Sequence, residues 1–177
     1  MPNDRSEQQI RLKLEKYLDN SFQGRKNMGE SIPVDIYRML QYSLKIELMK
    51  VYGREQTINI FRAAGFNAGV YFTVHMLDPS LPFGEFVSGL QRKLEEYKMG
   101  ILRIEHQESK TGKIILTIAE DADCSGLSVI GESVCNYDEG FIAGIFTTYT
   151  NRLYEAVEIN CWALGDRVCR FEVRVRE

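Results

Sequence analysis

No run of apolar residues approaches the roughly 18 needed to cross a bilayer, and the start, MPNDRSEQQIRLKLEKYLDN, lacks the apolar core of a signal peptide. These two absences predict a cytoplasmic chain without a membrane span. Nor is there a basic block: 22 Lys+Arg against 25 Asp+Glu leave a formal net charge of −3, which argues against direct nucleic acid binding. Histidine is scarce, with only His75 and His106. No Gly-x-Gly-x-x-Gly follows a strand and no Gly-Lys-[Ser/Thr] phosphate loop occurs, so nicotinamide and nucleotide chemistry find no support. With no nucleophile and base in evidence, the sequence favours a binding module over an enzyme.

What is present suits a chain that folds alone. Its 177 residues are 44% hydrophobic, 27% charged and 11% aromatic, enough to bury a core without staples. The first two-thirds have helical periodicity. Ser6 and Gln9 form a capping box for a helix over 6–19 with an apolar stripe of Ile10, Leu14, Tyr17 and Leu18. After a polar loop, a second helix starts near Ser31 or Ile32 with Pro33 in its first turn, buries Ile36, Leu40, Leu44, Leu48 and Val51, and ends at Gly53. A third, over 54–77, carries Ile58, Phe61, Gly65, Ala68, Phe72 and Met76 on one side. Its glycines, Gly65 and Gly69, imply close approach of a neighbouring helix, with ligand contact as the alternative. A fourth, over 84–98, uses Phe86, Leu90, Leu94 and Tyr97.

At Gly100 the period changes from 3.6 to 2. Residues 101–108 and 113–120 read as a hairpin around Ser109-Lys110-Thr111-Gly112, and a helix over 138–151 turns Phe141, Ile145 and Thr148 inward. A second hairpin, 153–161 with 168–176, closes the chain. A three-residue loop, Leu164-Gly165-Asp166, sets Cys161 opposite Cys169, Ile159 opposite Phe171 and Val157 opposite Val173, leaving Arg170, Glu172, Arg174 and Arg176 facing water or a partner.

All four cysteines, at 124, 135, 161 and 169, fall in the last third of the chain. Opposed Cys161 and Cys169 are spaced for two thiolates on one zinc ion, and Cys135, at a helix entry, is placed to supply a third. No Cys-x-x-Cys knuckle accompanies them. Buried structural thiols remain an alternative, and a Cys161–Cys169 disulfide a poorer one in a reducing compartment.

Three segments resemble the 4-vinyl reductase domain family: Glu120-Asp121-Ala122-Asp123-Cys124-Ser125-Gly126, then Cys135-Asn136-Tyr137-Asp138-Glu139-Gly140-Phe141-Ile142-Ala143-Gly144, then Glu158 through Val173 with its Cys-Trp-Ala-Leu-Gly-Asp core. Looser agreement extends the resemblance over roughly 33–175, so the expected division is an N-terminal helix and linker, 1–32, and a ligand-binding domain, 33–177. The resemblance implies an α+β fold, an antiparallel four-stranded sheet with helices packed on one side, as in trafficking subunits of the TRAPP type and the ligand-binding fold of NO-signalling and Golgi-transport proteins. It also implies a sensor or binding domain for a small hydrophobic or aromatic molecule. In the phenol-sensing relatives a zinc ion is held by Cys, Glu and two further Cys, a pattern that falls here on Cys135, Glu158, Cys161 and Cys169. Glu158 and Cys161 are three apart, so a bulge or an early strand end must bring them to one face; otherwise Cys124 is the substitute.

Such a shell is closed and therefore structural. The ligand pocket is expected between the third and fourth helices and the sheet, near Phe66, Val70, Phe86 and His106, the last following Leu102 and Ile104 on one strand face. The stripe of the 6–19 helix stands outside the family domain, and a homodimer is expected to cover it. The other readings are a TRAPP-like protein-interaction scaffold and an accessory protein of a vinyl reductase pathway.

Overall fold

The computed structural model describes residues 14, 16–18, 25–29 and 31–176. By its internal contacts the chain forms two units, Met1–Glu47 and Leu48–Glu177. In the first, Leu14 and Lys16–Leu18 are helical, while the rest of the expected 6–19 helix, Ser6, Gln9 and Ile10 included, lies outside the described residues. A turn follows in which Arg25 Nε donates to the Gly29 carbonyl at 2.7 Å.

Helix α1, Val34–Tyr52, starts in this unit directly after Pro33, whose carbonyl accepts the Ile36 N–H, and Gly53 ends it at φ 77°, as the sequence predicts. The expected buried face is corrected. Ile36, Leu40, Leu44 and Val51 are exposed and Leu48 half-buried, whereas Lys45 is buried. Periodicity marks a stripe as apolar; it does not supply a surface of the same chain to cover it.

The second unit continues with α2 (Arg54–Met76), α3 (Phe83–Glu96), β1 (Ile101–Glu108), β2 (Lys113–Ala119), α4 (Asn136–Thr150), β3 (Tyr154–Asn160), a 3-10 turn (Trp162–Leu164) and β4 (Cys169–Val175). The strands form one antiparallel sheet in the order β1-β2-β4-β3, two hairpins laid side by side. The first hairpin turns as predicted, with Gly112 at φ 78° and its N–H donating to the Glu108 carbonyl at 2.8 Å. Helix α4 packs on β3 and β4 and α3 on β1, which gives the expected α+β architecture. Facing these helices, Ile114, Leu116 and Ile118 of β2 lie opposite Val173, Phe171 and Cys169 of β4, all buried. On the outer face, ion pairs Arg170–Glu105, Lys113–Glu172 and Arg174–Glu155 cross between strands.

The small residues of α2 meet those of α4 backbone to backbone. A Cβ added at Gly65 would stand 2.0 Å from the Tyr137 carbonyl oxygen, at Gly69 2.1 Å from that of Phe141, at Gly140 1.9 Å from that of Arg62, and at Gly144 2.2 Å from that of Phe66. Close helix approach is therefore the reason for these glycines. Helix α4, with Gly140–Phe146 buried throughout, is the central element of the unit.

The last hairpin differs from its expected register. Ala156, not Val157, opposes Val173 and Glu158, not Ile159, opposes Phe171, whereas Asn160 opposes Arg170 as expected; an irregularity separates Glu158 from Asn160. A one-residue shift exchanges the faces of a strand, so Tyr154 and Ala156 point inward while Val157 and Ile159 are 38% and 49% exposed. The cause is the irregularity between Glu158 and Asn160, which takes up one extra residue of β3. Ile159→Lys is thus expected to change stability by no more than about 0.5 kcal/mol, and Ala156→Lys to cost more than about 2 kcal/mol by burying an unpaired charge. Chemical denaturation of the two variants checks this; the opposite ranking contradicts the register.

Candidate metal centre and apolar cavity

Three local structures carry the cysteines to one point. The loop between β2 and α4 makes a tight turn in which the Ser125 N–H donates to the Asp121 carbonyl and the Leu127 N–H to that of Cys124, both at 3.0 Å. It ends at Cys135, directly before α4. Across from it, the Cys161 N–H donates to Asp166 Oδ2 at 2.9 Å, and the Cys161 carbonyl accepts from the Leu164 and Asp166 N–H groups at 2.9 and 3.2 Å. Trp162 Nε1 donates to the Leu127 carbonyl at 3.0 Å, tying this knuckle to the first loop. Cys169 opens β4.

All four cysteines are fully buried, and their sulfurs lie within 4.8 Å of one another. Cys135 is 3.7 Å from Cys169 and 3.9 Å from Cys161, while Cys124 and Cys169 are 3.0 Å apart. Four sulfurs each about 2.3 Å from one zinc stand about 3.8 Å apart, so the first two separations match a tetrahedral shell and the third is shorter. All four are free thiols, without the Cys161–Cys169 disulfide. Hydrogen bonds from Cys124, Cys135 and Cys169 drive the Cys161 thiol far down toward thiolate, whereas hydrogen bonding to Cys124 and then Cys161 drives Cys135 far up. Four sulfurs thus converge on a point where a soft cation can replace their protons.

The strand irregularity needed to bring Glu158 beside Cys161 is present. Its backbone N–H donates to Glu139 Oε1 at 3.0 Å, and Glu139 in turn accepts from Arg62 Nε at 2.7 Å, which pins β3 to α4. Ser133 Oγ donates to Glu158 Oε2, whereas the buried Oε1 has no hydrogen-bond partner. Burial pushes this carboxyl up to about 8. The group of mutually close ligand atoms contains Cys124 rather than Glu158.

Beside this cluster a cavity of about 20 Å³, room for a water molecule, lies between α3, α4 and the sheet. Leu90 and Leu94 of α3, Leu102 and Ile118 of the sheet, and Phe141, Ile145 and Phe146 of α4 line it, with Met99, Ile142 and two acids, Asp121 and Asp138. Burial, with Asp123 nearby, pushes Asp121 up to about 7; burial and then Asp121 also raise Asp138.

None of the residues expected to line a pocket lines this one. The Phe66 carbonyl packs on α4 at Gly144, Val70 is half-buried beside it, and Phe86 is buried in a stack on Tyr149 at 4.1 Å. His106 is exposed because an irregularity between Ile104 and His106 breaks the strand alternation. Asp121 and Asp138 carried no signal of spacing, since a lone acid in a sequence reads as solvated by default.

Residues 114–175 match the 4-vinyl reductase domain model. The Methanocaldococcus jannaschii protein MJ1642 is 30% identical over 150 residues, 85% of this chain and 82% of that protein. The chain belongs to the 4-vinyl reductase domain family. Among solved structures, this family member resembles the phenol-responsive sensory domain of the transcription activator PoxR with phenol (TM-score 0.65, 12% identity, 83% of this chain and 76% of that one). It also resembles trafficking protein particle complex subunit 3 from Naegleria fowleri, covalently bound to palmitic acid (TM-score 0.63, 14% identity, 81% of this chain and 95% of that one). The 4-vinyl reductase domain fold is thus shared with a sensory domain and a trafficking subunit. Among the described residues no helix is long and apolar enough to cross a membrane.

Proposed function

We propose that this 4-vinyl reductase domain protein is a binding module for a small apolar molecule, held in the cavity between α3, α4 and the sheet and braced by a structural zinc ion. The observation that carries the reading is the position of α4, whose first turns line the cavity while Cys135 precedes its first residue, so cluster and cavity share one support. Apolar walls supply affinity and Met99 is adaptable enough to give way to a larger occupant. Small hydrophobic compounds at saturating concentration are expected to raise the melting temperature. If none does, the scaffold reading, in which the same fold serves to hold other proteins, replaces this one. As a sensor, the protein passes its response to another protein by contact.

Zinc is assigned to Cys135, Cys161 and Cys169, with the fourth position between Cys124, favoured by the sulfur distances, and Glu158, whose buried Oε1 has no hydrogen-bond partner. A full shell leaves no position for substrate, so the metal stabilises rather than reacts. Cys124→Ser should weaken zinc more than about 100-fold, and Glu158→Gln about 10- to 100-fold, as for a supporting partner. Competition with a chromogenic chelator measures both; the reverse order makes Glu158 the ligand.

The chain is further assigned a homodimeric state. Tyr17 is 77% exposed and Leu40 of α1 70%, apolar surface of the kind a second copy covers. Light scattering should report a dimer that dissociates when residues 1–22 are deleted. A monomeric intact chain, or a dimer unchanged by the deletion, excludes this arrangement.

A further inference from the structure

The cavity has one polar end. There the Asp121 and Asp138 carboxylates and Cys135 place ligand atoms within 4.8 Å of one another. Asp121, 2% exposed, already accepts the Asp123 N–H at 2.7 Å. Asp138 differs: its Oδ2 is closed off from solvent and has no hydrogen-bond partner. A buried acceptor left unpaired is costly, and natural structures rarely keep one without a use for it. A metal is a poor occupant, because Cys135 also belongs to the four-cysteine cluster.

We propose that this end of the cavity selects an apolar molecule whose head is a hydrogen-bond donor, a hydroxyl or an ammonium, and rejects a carboxylate head. The proposal rests on the reading of the cavity as the ligand site and names the class of ligand that site takes. The donor head pairs with Asp138 Oδ2 and the hydrocarbon body lies against Leu90, Leu94, Phe141 and Phe146. Without ligand, a water molecule satisfies the acceptor. A donor head that displaces this water reproduces its hydrogen bond, and a bare hydrocarbon does not. A carboxylate head brings no donor to this acceptor and would shed its own hydration on entering a buried end that offers it no cation.

The test is calorimetric titration of the intact protein with toluene, benzyl alcohol, benzylamine and benzoate, which share nearly one body and differ in the head. Benzyl alcohol or benzylamine should bind at least about tenfold more tightly than toluene, as befits a hydrogen bond to a carboxylate, and benzoate should bind most weakly. The better of the two donors tells hydroxyl from ammonium. Asp138→Leu should bring the donor-headed compounds to the level of toluene while toluene itself still binds. If that variant does not fold, the order in the unmodified protein decides alone. Toluene binding as tightly as both donors, or benzoate as tightly as either, overturns the donor selection and leaves the apolar site standing. Failure of all four compounds to bind overturns both.

Discussion

Replacing Cys161 by alanine is expected to release the metal and to lower the melting temperature by about 6–12 °C, equivalent to about 3 kcal/mol in a domain of this size. Cys161 lies 3.9 Å from Cys135, its backbone is locked by Asp166, and its knuckle is tied through Trp162 to the loop that bears Cys124. Removing it takes away a ligand and unties two otherwise separate loops. In a structural site metal affinity contributes directly to folding free energy, so the loss should appear in both metal content and stability. Elemental analysis with thermal melts checks this; a variant that melts with the parent, in a protein holding zinc, contradicts the assignment.

The second large effect belongs to the helix crossing. Gly140→Ala puts a methyl group 1.9 Å from the Arg62 carbonyl oxygen, and this neighbour is backbone that no rotamer change can move. Helices α2 and α4 must part along a contact that runs from Gly65 with Gly140 to Gly69 with Gly144. A cost of about 3 kcal/mol or more is expected, at or beyond the upper end for overpacked cores. Gly84→Ala in α3 is the matched control: nothing lies within 4 Å of its added Cβ, so the helical preference of alanine should stabilise the protein by about 0.5–1 kcal/mol. Urea denaturation measures both, and equal midpoints for the two variants contradict the close crossing.

Much of the fold was legible because local chemistry and tertiary structure agree. Pro33 and Gly53 bracket α1, Gly112 makes the first hairpin turn, and the glycines of α2 announce a close neighbour. The register of the last hairpin was legible only beside its connection, where Asn160 meets Arg170 as alternation predicts; the irregularity between Glu158 and Asn160 then shifts the pairs from Glu158 back to Tyr154 by one residue. The same limit applies to His106, moved outward by one irregularity in β1. Clustering of Cys135, Cys161 and Cys169 was readable from their strand and helix positions, whereas the approach of Cys124 depends on how the loop after β2 closes. The acids at the cavity end emerge only once α4 and that loop are brought together.

The most direct measurement is native mass spectrometry of the protein purified without chelator. The expected result is one zinc ion per chain, retained with a small apolar molecule under gentle conditions and lost on acid denaturation. A bare polypeptide mass, with neither zinc nor small molecule, would contradict it.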